Sequence, residues 1–316
     1  MRERVKQWRQ KVTSFLEKHI KPQSIQMTIA LSFTIVSVIS MGILGISLYN
    51  RFVNKMEDMT TQSAEQLLNQ TAINLESYLR NMRRISDAMY YSVIKDKDLA
   101  TDSLDEEMNL LYEANKDNLI SIACYTNDGR LGAAAPLAPE KNNLDIVDQE
   151  WFTEATGQME NVHFSTPHVQ NLFDDPSYRY YWVVSLSQAV ELTSGGNSTL
   201  GVLLVDMNYS SIEQLLTKAN TDNASEYVYL MDGSGELIYH PKQKLIYTDL
   251  FSENNLVAAS YEDGSHKEEY DGEKRIVTVK TISYTGWKIV SVVPMSSFDM
   301  GISGMRMFVI LLMSLS

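Results

Sequence analysis

The chain has 316 residues, a formal net charge of −13 and a single cysteine, Cys124, so an internal disulfide framework is excluded. Residues 1–21 hold seven basic and two acidic side chains, net +5, which leaves about −18 for residues 22–316. So acidic a body argues against nucleic acid as a partner, because phosphate recognition relies on Lys and Arg.

Residues 22–50 contain no charged side chain, and the stretch 25–48 is rich in Ile, Leu, Val and Met. A bilayer core needs about 20 mostly apolar residues in helix, so this run is expected to be a transmembrane helix. The Lys and Arg excess in the tail before it predicts a cytoplasmic N-terminus and a body facing outward. The run is too long for the apolar core of a cleaved signal. At the other end, residues 307–316 read MFVILLMSLS after Arg306. They are expected to begin a second crossing that continues past Ser316, with whatever follows in the cytoplasm.

From Ile46 to Asp128 there is neither Gly nor Pro. Within that stretch Ala64, Leu68, Thr71, Leu75, Tyr78, Met82, Ile85 and Met89 recur at steps of four and three, a heptad seam. One helix over 51–94 is predicted, leaving the membrane and packing part of its seam on its own domain. A twin helix in a homodimer is the partner this seam suggests.

After an acidic linker at 96–107 the pattern turns to strands. Residues 119–125 lead through Asn127-Asp128-Gly129, a hairpin turn signal, to a return strand at 131–135. A similar unit follows at 227–231, Asp232-Gly233-Ser234-Gly235 and 237–240. The two tails also correspond: strands at 178–190 and 201–206 before Ser210-Ser211, and strands at 275–283 and 286–293 before Ser296-Ser297. Two copies of one small α/β module explain this order better than one large sheet. Gly233-x-Gly235 has no third glycine and no helix pattern behind it, so it reads as a turn and not a nucleotide loop.

This arrangement resembles the double Cache (dCache) sensor region of bacterial transmembrane receptors. The resemblance rests on Asp148-Gln149-Glu150-Trp151-Phe152, Ser165-Thr166-Pro167-His168, Gly201-Val202-Leu203-Leu204-Val205-Asp206 and the closing stretch 286–294. It implies an α+β fold: a transmembrane helix, a long helix and two tandem PAS-like modules. The expected parts are a basic cytoplasmic tail (1–21), the transmembrane helix (22–50), and the long helix with its linker (51–118). A membrane-distal module (119–222), a membrane-proximal module (223–300) and the start of a second transmembrane helix (301–316) follow. With its short basic tail the chain looks most like the sensor part of YesM-type histidine kinases of the bacterial cell membrane. Methyl-accepting chemotaxis receptors share this exterior and are the alternative.

By position, the resemblance implies a small-molecule pocket in the distal module. Trp151 and Phe152 would be aromatic walls, Asp206 would meet a cationic or hydroxyl group, and Tyr125, His168, Gln170 and Tyr181 would fall around them. Trp151 and Phe152 read equally as core anchors, and Asp206 as a strand-end turn residue. Amino-acid-binding members carry Arg where this chain has Gln149, and Tyr and Asp where it has His168 and Gln170. Without the bidentate Arg clamp an α-amino acid is not favoured, and a sugar-like ligand stacking on Trp151 is the alternative.

Catalysis finds no support, for there is no Gly-x-Ser-x-Gly, His-Glu-x-x-His or Gly-Lys-Ser/Thr motif. Asp174-Asp175 and Glu268-Glu269 lie in polar stretches and read as solvated, which disfavours a membrane-tethered hydrolase. His163 and His168 have no Cys or helical partner, so neither a metal nor a cofactor is expected.

Overall fold

The computed structural model describes residues 25–136, 138–141, 144–159, 162–174, 179–220 and 226–297. The fold is α+β, a long helix followed by two sheet-rich modules. The chain divides into two units, residues 1–59 with 297–316 and residues 60–296. The expected basic tail and the expected second crossing lie outside the described residues.

Helix α1 (Ile25–Met89) begins in the first unit, where Ile25, Phe33, Ile43 and Leu44 are exposed. This part is long and apolar enough to cross a membrane. Two of its hydroxyls bond within the helix: Ser32 Oγ donates to the Thr28 carbonyl and Thr34 Oγ1 to the Ala30 carbonyl, at 2.8 and 3.0 Å.

In the second unit α1 becomes one-sided. Leu68, Leu75, Leu79, Met82 and Met89 are fully buried, and the predicted seam faces inward apart from half-buried Tyr78. It packs in one core with Ile122, Cys124, Leu203 and Val205 of the first sheet and Val228, Leu230 and Ile289 of the second. The seam read as a surface for a twin helix is therefore taken up by the chain's own sheets. A π-helical turn, Tyr90–Ile94, closes the helix, with Lys95 N–H donating to the Tyr90 carbonyl at 2.9 Å. The linker behind it is pinned by Asp98, whose carboxylate accepts from the Gly195 and Gly196 amides at 2.8 and 2.7 Å. Helix α2 (Asp105–Asn115) follows, its first turn holding Asp105, Glu106 and Glu107 against the positive end of its dipole.

The first sheet contains β1 (Leu119–Thr126), β2 (Leu131–Ala135), β3 (His163–Phe164), β4 (His168–Val169), β5 (Trp182–Ser194) and β6 (Asn197–Asn208). Its order is β2-β1-β6-β5-β3, with β4 also on β5. Helix α3 (Glu150–Gly157) lies between β2 and β3 in sequence. Gly195 and Gly196, both at positive φ, make the two-residue turn that joins β5 to β6. Helix α4 (Tyr209–Ala219) comes next, starting one residue before the predicted Ser210-Ser211; its cap is Asn208, which accepts the Ser210 N–H at 3.0 Å.

The second sheet contains β7 (Tyr227–Met231), β8 (Leu237–Tyr239), β9 (Gly264–Tyr270), β10 (Glu273–Thr281) and β11 (Lys288–Pro294). Short helices α5 (Gln243–Tyr247) and α6 (Asn255–Ala259) connect β8 to β9. The order β8-β7-β11-β10-β9 repeats that of the first sheet, the spatial counterpart of the duplication seen in the sequence. In the β7–β8 turn Asp232 accepts the Ser234 and Glu236 amides at 2.9 and 2.7 Å, and Gly235 sits at φ +97°.

Candidate functional site

Successive side chains of a strand point to opposite faces, so one face of the first sheet collects Ser121, Ala123 and Tyr125 from β1 with Val202, Leu204 and Asp206 from β6. This is the face turned away from α1. Its two ends differ in chemistry.

One end is apolar. Tyr125, Trp151 and Phe152 are buried with Val202 and Leu204, the Tyr125 and Trp151 rings 5.5 Å apart and Trp151 and Phe152 5.7 Å apart. Trp151 and Phe152 reach the sheet from α3, whose apolar positions 151, 152 and 155 form one stripe. Tyr125 Oη and Glu140 Oε1 are buried here without a hydrogen-bond partner among the described residues. Burial and the nearby Glu140 charge push the Tyr125 phenol well above its ordinary value.

The other end is polar. Asp206, 2% exposed, accepts from Ser121 Oγ at 2.6 Å and from Ser185 Oγ at 2.5 Å. Burial raises its pKa, and the two serine hydrogen bonds and the His168 ring work against that rise. His168 lies 3.3 Å from Ser185 Oγ through Nε2 and 2.9 Å from the Thr166 carbonyl through Nδ1. Serine hydroxyls thus link a buried carboxylate to an imidazole on one side and to β1 on the other.

Ser121 also forms part of the wall of a cavity of about 610 Å³. Around it stand Tyr112, Lys116, Gln170, Phe173, Arg179 and Tyr181. Of the residues named from the sequence, Gln170 and Tyr181 line this cavity. Asp206 lies one hydrogen bond beneath it and His168 three. Tyr125, Trp151 and Phe152 stand together in the apolar cluster, outside the cavity lining, which Phe173 joins to it. Sequence reasoning missed Tyr112, Lys116, Ser121 and Arg179. No local pattern marks them, since helix α2, strand β1 and the segment before β5 meet only in the folded chain.

A family model described as a Cache domain matches residues 52–301. A probable methyl-accepting chemotaxis protein of Bacillus thuringiensis is 24% identical over 286 residues, 88% of this chain and 40% of that protein. The methyl-accepting chemotaxis protein TlpA of Bacillus subtilis is 22% identical over 278 residues, 85% of this chain and 39% of that one. The chain thus spans about 40% of the length of these relatives.

Among solved structures, the ligand-binding domain of the Pseudomonas aeruginosa amino acid chemoreceptor PctC, in complex with GABA, aligns with a TM-score of 0.56 at 16% identity. It covers 74% of this chain and 99% of that domain. The ligand-binding domain of Pseudomonas fluorescens CtaA with L-isoleucine aligns with a TM-score of 0.56 at 17% identity, over 78% of this chain and 98% of the other.

These neighbours correct one expectation. An amino acid was not favoured because Gln149 replaces the Arg of the amino-acid-binding pattern, yet the structural neighbours are domains bound to amino acids. Gln149 is also not a cavity residue: its side chain donates to the Asp145 carbonyl at 3.2 Å, while basic groups reach the cavity on Lys116 and Arg179. With most of its length matched, the chain belongs to the Cache domain family, and its fold is that of the structural neighbours above.

Proposed function

We propose that this chain is the membrane-anchored, outward-facing sensor region of a methyl-accepting chemotaxis receptor, and that its first module binds an amino acid. The observation that carries the ligand class is the cavity over the polar end of the first sheet. Lys116 and Arg179 offer charge-assisted hydrogen bonds to a carboxylate, Asp117 and Asp174 offer acceptors to an ammonium group, and Tyr112, Phe173 and Tyr181 offer apolar contact. The chemotaxis output is favoured over a YesM-type kinase because the curated relatives compared above are chemotaxis proteins.

In this reading residues 22–50 cross the membrane, 119–222 form the distal module and 223–300 the proximal one. A bound amino acid acts through its differential affinity for two arrangements of the distal module against α1. Ser121 and Asp206 then sense the occupied cavity from below, while Trp151 and Phe152 hold the neighbouring core.

Titration calorimetry on the chain in lipid nanodiscs, with GABA and a panel of L-amino acids, tests the reading. Binding of at least one is expected, weakened about tenfold or more by Arg179→Ala, the usual cost of losing a hydrogen bond to a charged group. If no member of the panel binds, or if Arg179→Ala leaves every affinity unchanged, the ligand class is wrong.

A further inference from the structure

The second module has a cavity of its own, about 420 Å³, on the sheet face away from α1. At its floor Arg275, 5% exposed, holds two carboxylates: Nη2 reaches Glu253 Oε1 at 2.6 Å and Nε reaches Glu268 Oε1 at 2.6 Å. Tyr227 Oη donates to Glu253 Oε2 at 2.5 Å. One buried cation therefore faces two buried anions, and the trio carries a surplus negative charge.

His240 does not cancel that surplus with a hydrogen bond. Its Nδ1 accepts the Lys242 N–H at 3.0 Å, and its buried Nε2 stands 3.5 Å from Glu253 Oε2 with no hydrogen bond among the described residues.

Lys242 is the second neighbour of this charge. Its ammonium lies 4.8 Å from the centre of the Tyr227 ring and 4.5 Å from that of Phe251, and it forms no ion pair among the described residues. An ammonium is strongly hydrated, and two ring faces replace that hydration only where the local field favours positive charge. Asp249, Asp271 and Glu273 at the rim add to the field. The aromatic walls suit a cation that carries its own apolar groups. A metal ion fits poorly, as no group of three or more His, Cys, Asp or Glu side chains among the described residues could hold one.

We propose that this cavity is a second ligand site, independent of the amino acid reading, that takes a small alkylammonium cation, and that Lys242 is the internal occupant which such a ligand displaces. The exchange breaks no bond. The four-carbon stem of Lys242 swings out into water, and the incoming cation takes its place over Tyr227 and Phe251.

Choline and its uncharged isostere 3,3-dimethylbutan-1-ol separate charge from shape, and calorimetry on the chain in nanodiscs reads both. Choline is expected to bind at least about tenfold tighter than the alcohol. Lys242→Ala, which vacates the rings, is expected to tighten choline about tenfold, and Phe251→Leu in that background to weaken it by a similar factor. Arg179→Ala, in the other module, is expected to weaken the amino acid and to leave the choline affinity as it was, so failure of the amino acid site and failure of this one are told apart.

Should Phe251→Leu not fold, the ε-CH₂ protons of Lys242 in the unsubstituted chain still decide. Ring currents shift them upfield, and saturating choline is expected to return them to the position of a free lysine. Equal affinity for choline and the alcohol, no binding of choline, no gain in Lys242→Ala, or an unmoved Lys242 resonance would each overturn the proposal.

Discussion

Ser121 and Asp206 face each other across β1 and β6, and the serine hydroxyl donates to Asp206 Oδ2 at 2.6 Å. The most deeply placed carboxylate of the first module thus touches the cavity only through a serine. Burial has raised the Asp206 pKa, so its contribution to stability falls as pH climbs from the ordinary aspartate value through the folded one. Ser121→Ala removes a bond that favours the anion. The expected loss is about 1–3 kcal/mol where the carboxyl is ionised, and it shrinks as pH is lowered and the carboxyl takes up its proton. Urea unfolding across a pH series measures it, and a loss that does not change with pH would mean that Ser121 does not act through Asp206.

Arg275 bridges Glu253 and Glu268 in the second module, with the three side chains 7%, 0% and 6% exposed. Removing one member of a buried ion cluster strands the others. Arg275→Met should therefore cost about 3–5 kcal/mol, and adding Glu253→Gln to it should restore part of the loss. Denaturation midpoints of the single and double variants decide. A double variant weaker than the sum of the two single changes would contradict a stranded charge.

Acid should act on this same cluster. Burial alone would raise the Glu253 pKa, but the adjacent His240 ring, the Tyr227 hydrogen bond and the Arg275 charge overcome it, and hold it at about 2 against an ordinary 4.5. A depressed carboxylate stabilises the fold fully above its unfolded value and stops doing so as pH falls through the folded one. On the order of 3 kcal/mol should thus disappear between about pH 5 and pH 2. Glu253→Gln should flatten this acid limb when urea midpoints are followed across that window, and an unchanged slope would reject the assignment.

Gly201 and Gly196 offer a contrast between crowding and backbone strain. A Cβ at Gly201 would run into the Leu192 side chain and the Tyr125 carbonyl, whereas at Gly196 it would meet nothing but sit at φ +78°. Gly201→Ala should cost about 1–3 kcal/mol through overpacking, and Gly196→Ala about 1–2 kcal/mol through the left-handed backbone. Only the Gly201 change should shift the amide resonances of β1 in a nitrogen–proton NMR spectrum.

The elements with strong periodicity were legible in the residues themselves. A charge-free run became the first part of α1, the heptad seam became its buried stripe, and turns at Gly129 and Asp232 separated the strands where expected. What covers a stripe is a different matter, for a 3.5-residue period is the same whether the partner is a twin helix or two sheets of the same chain. Single charges were also misread. Glu268 and Glu269 appear alike in sequence, yet the strand pleat sends Glu268 inward to Arg275 and leaves Glu269 in water. The cavity of the first module was harder still. Asp206, Gln170 and Tyr181 were named by position, while Lys116 and Arg179 belong to it only because distant segments converge.

Cys124 is fully buried at the middle of β1, its thiol pushed up to about 12 by desolvation, and it is the one cysteine in the chain. Alkylating reagents and spin labels therefore find no native target while the fold is intact. Any cysteine introduced along α1 would report alone, with the wild-type background already silent, so displacement of that helix can be followed by paired labels without first stripping the protein of its own sulfur.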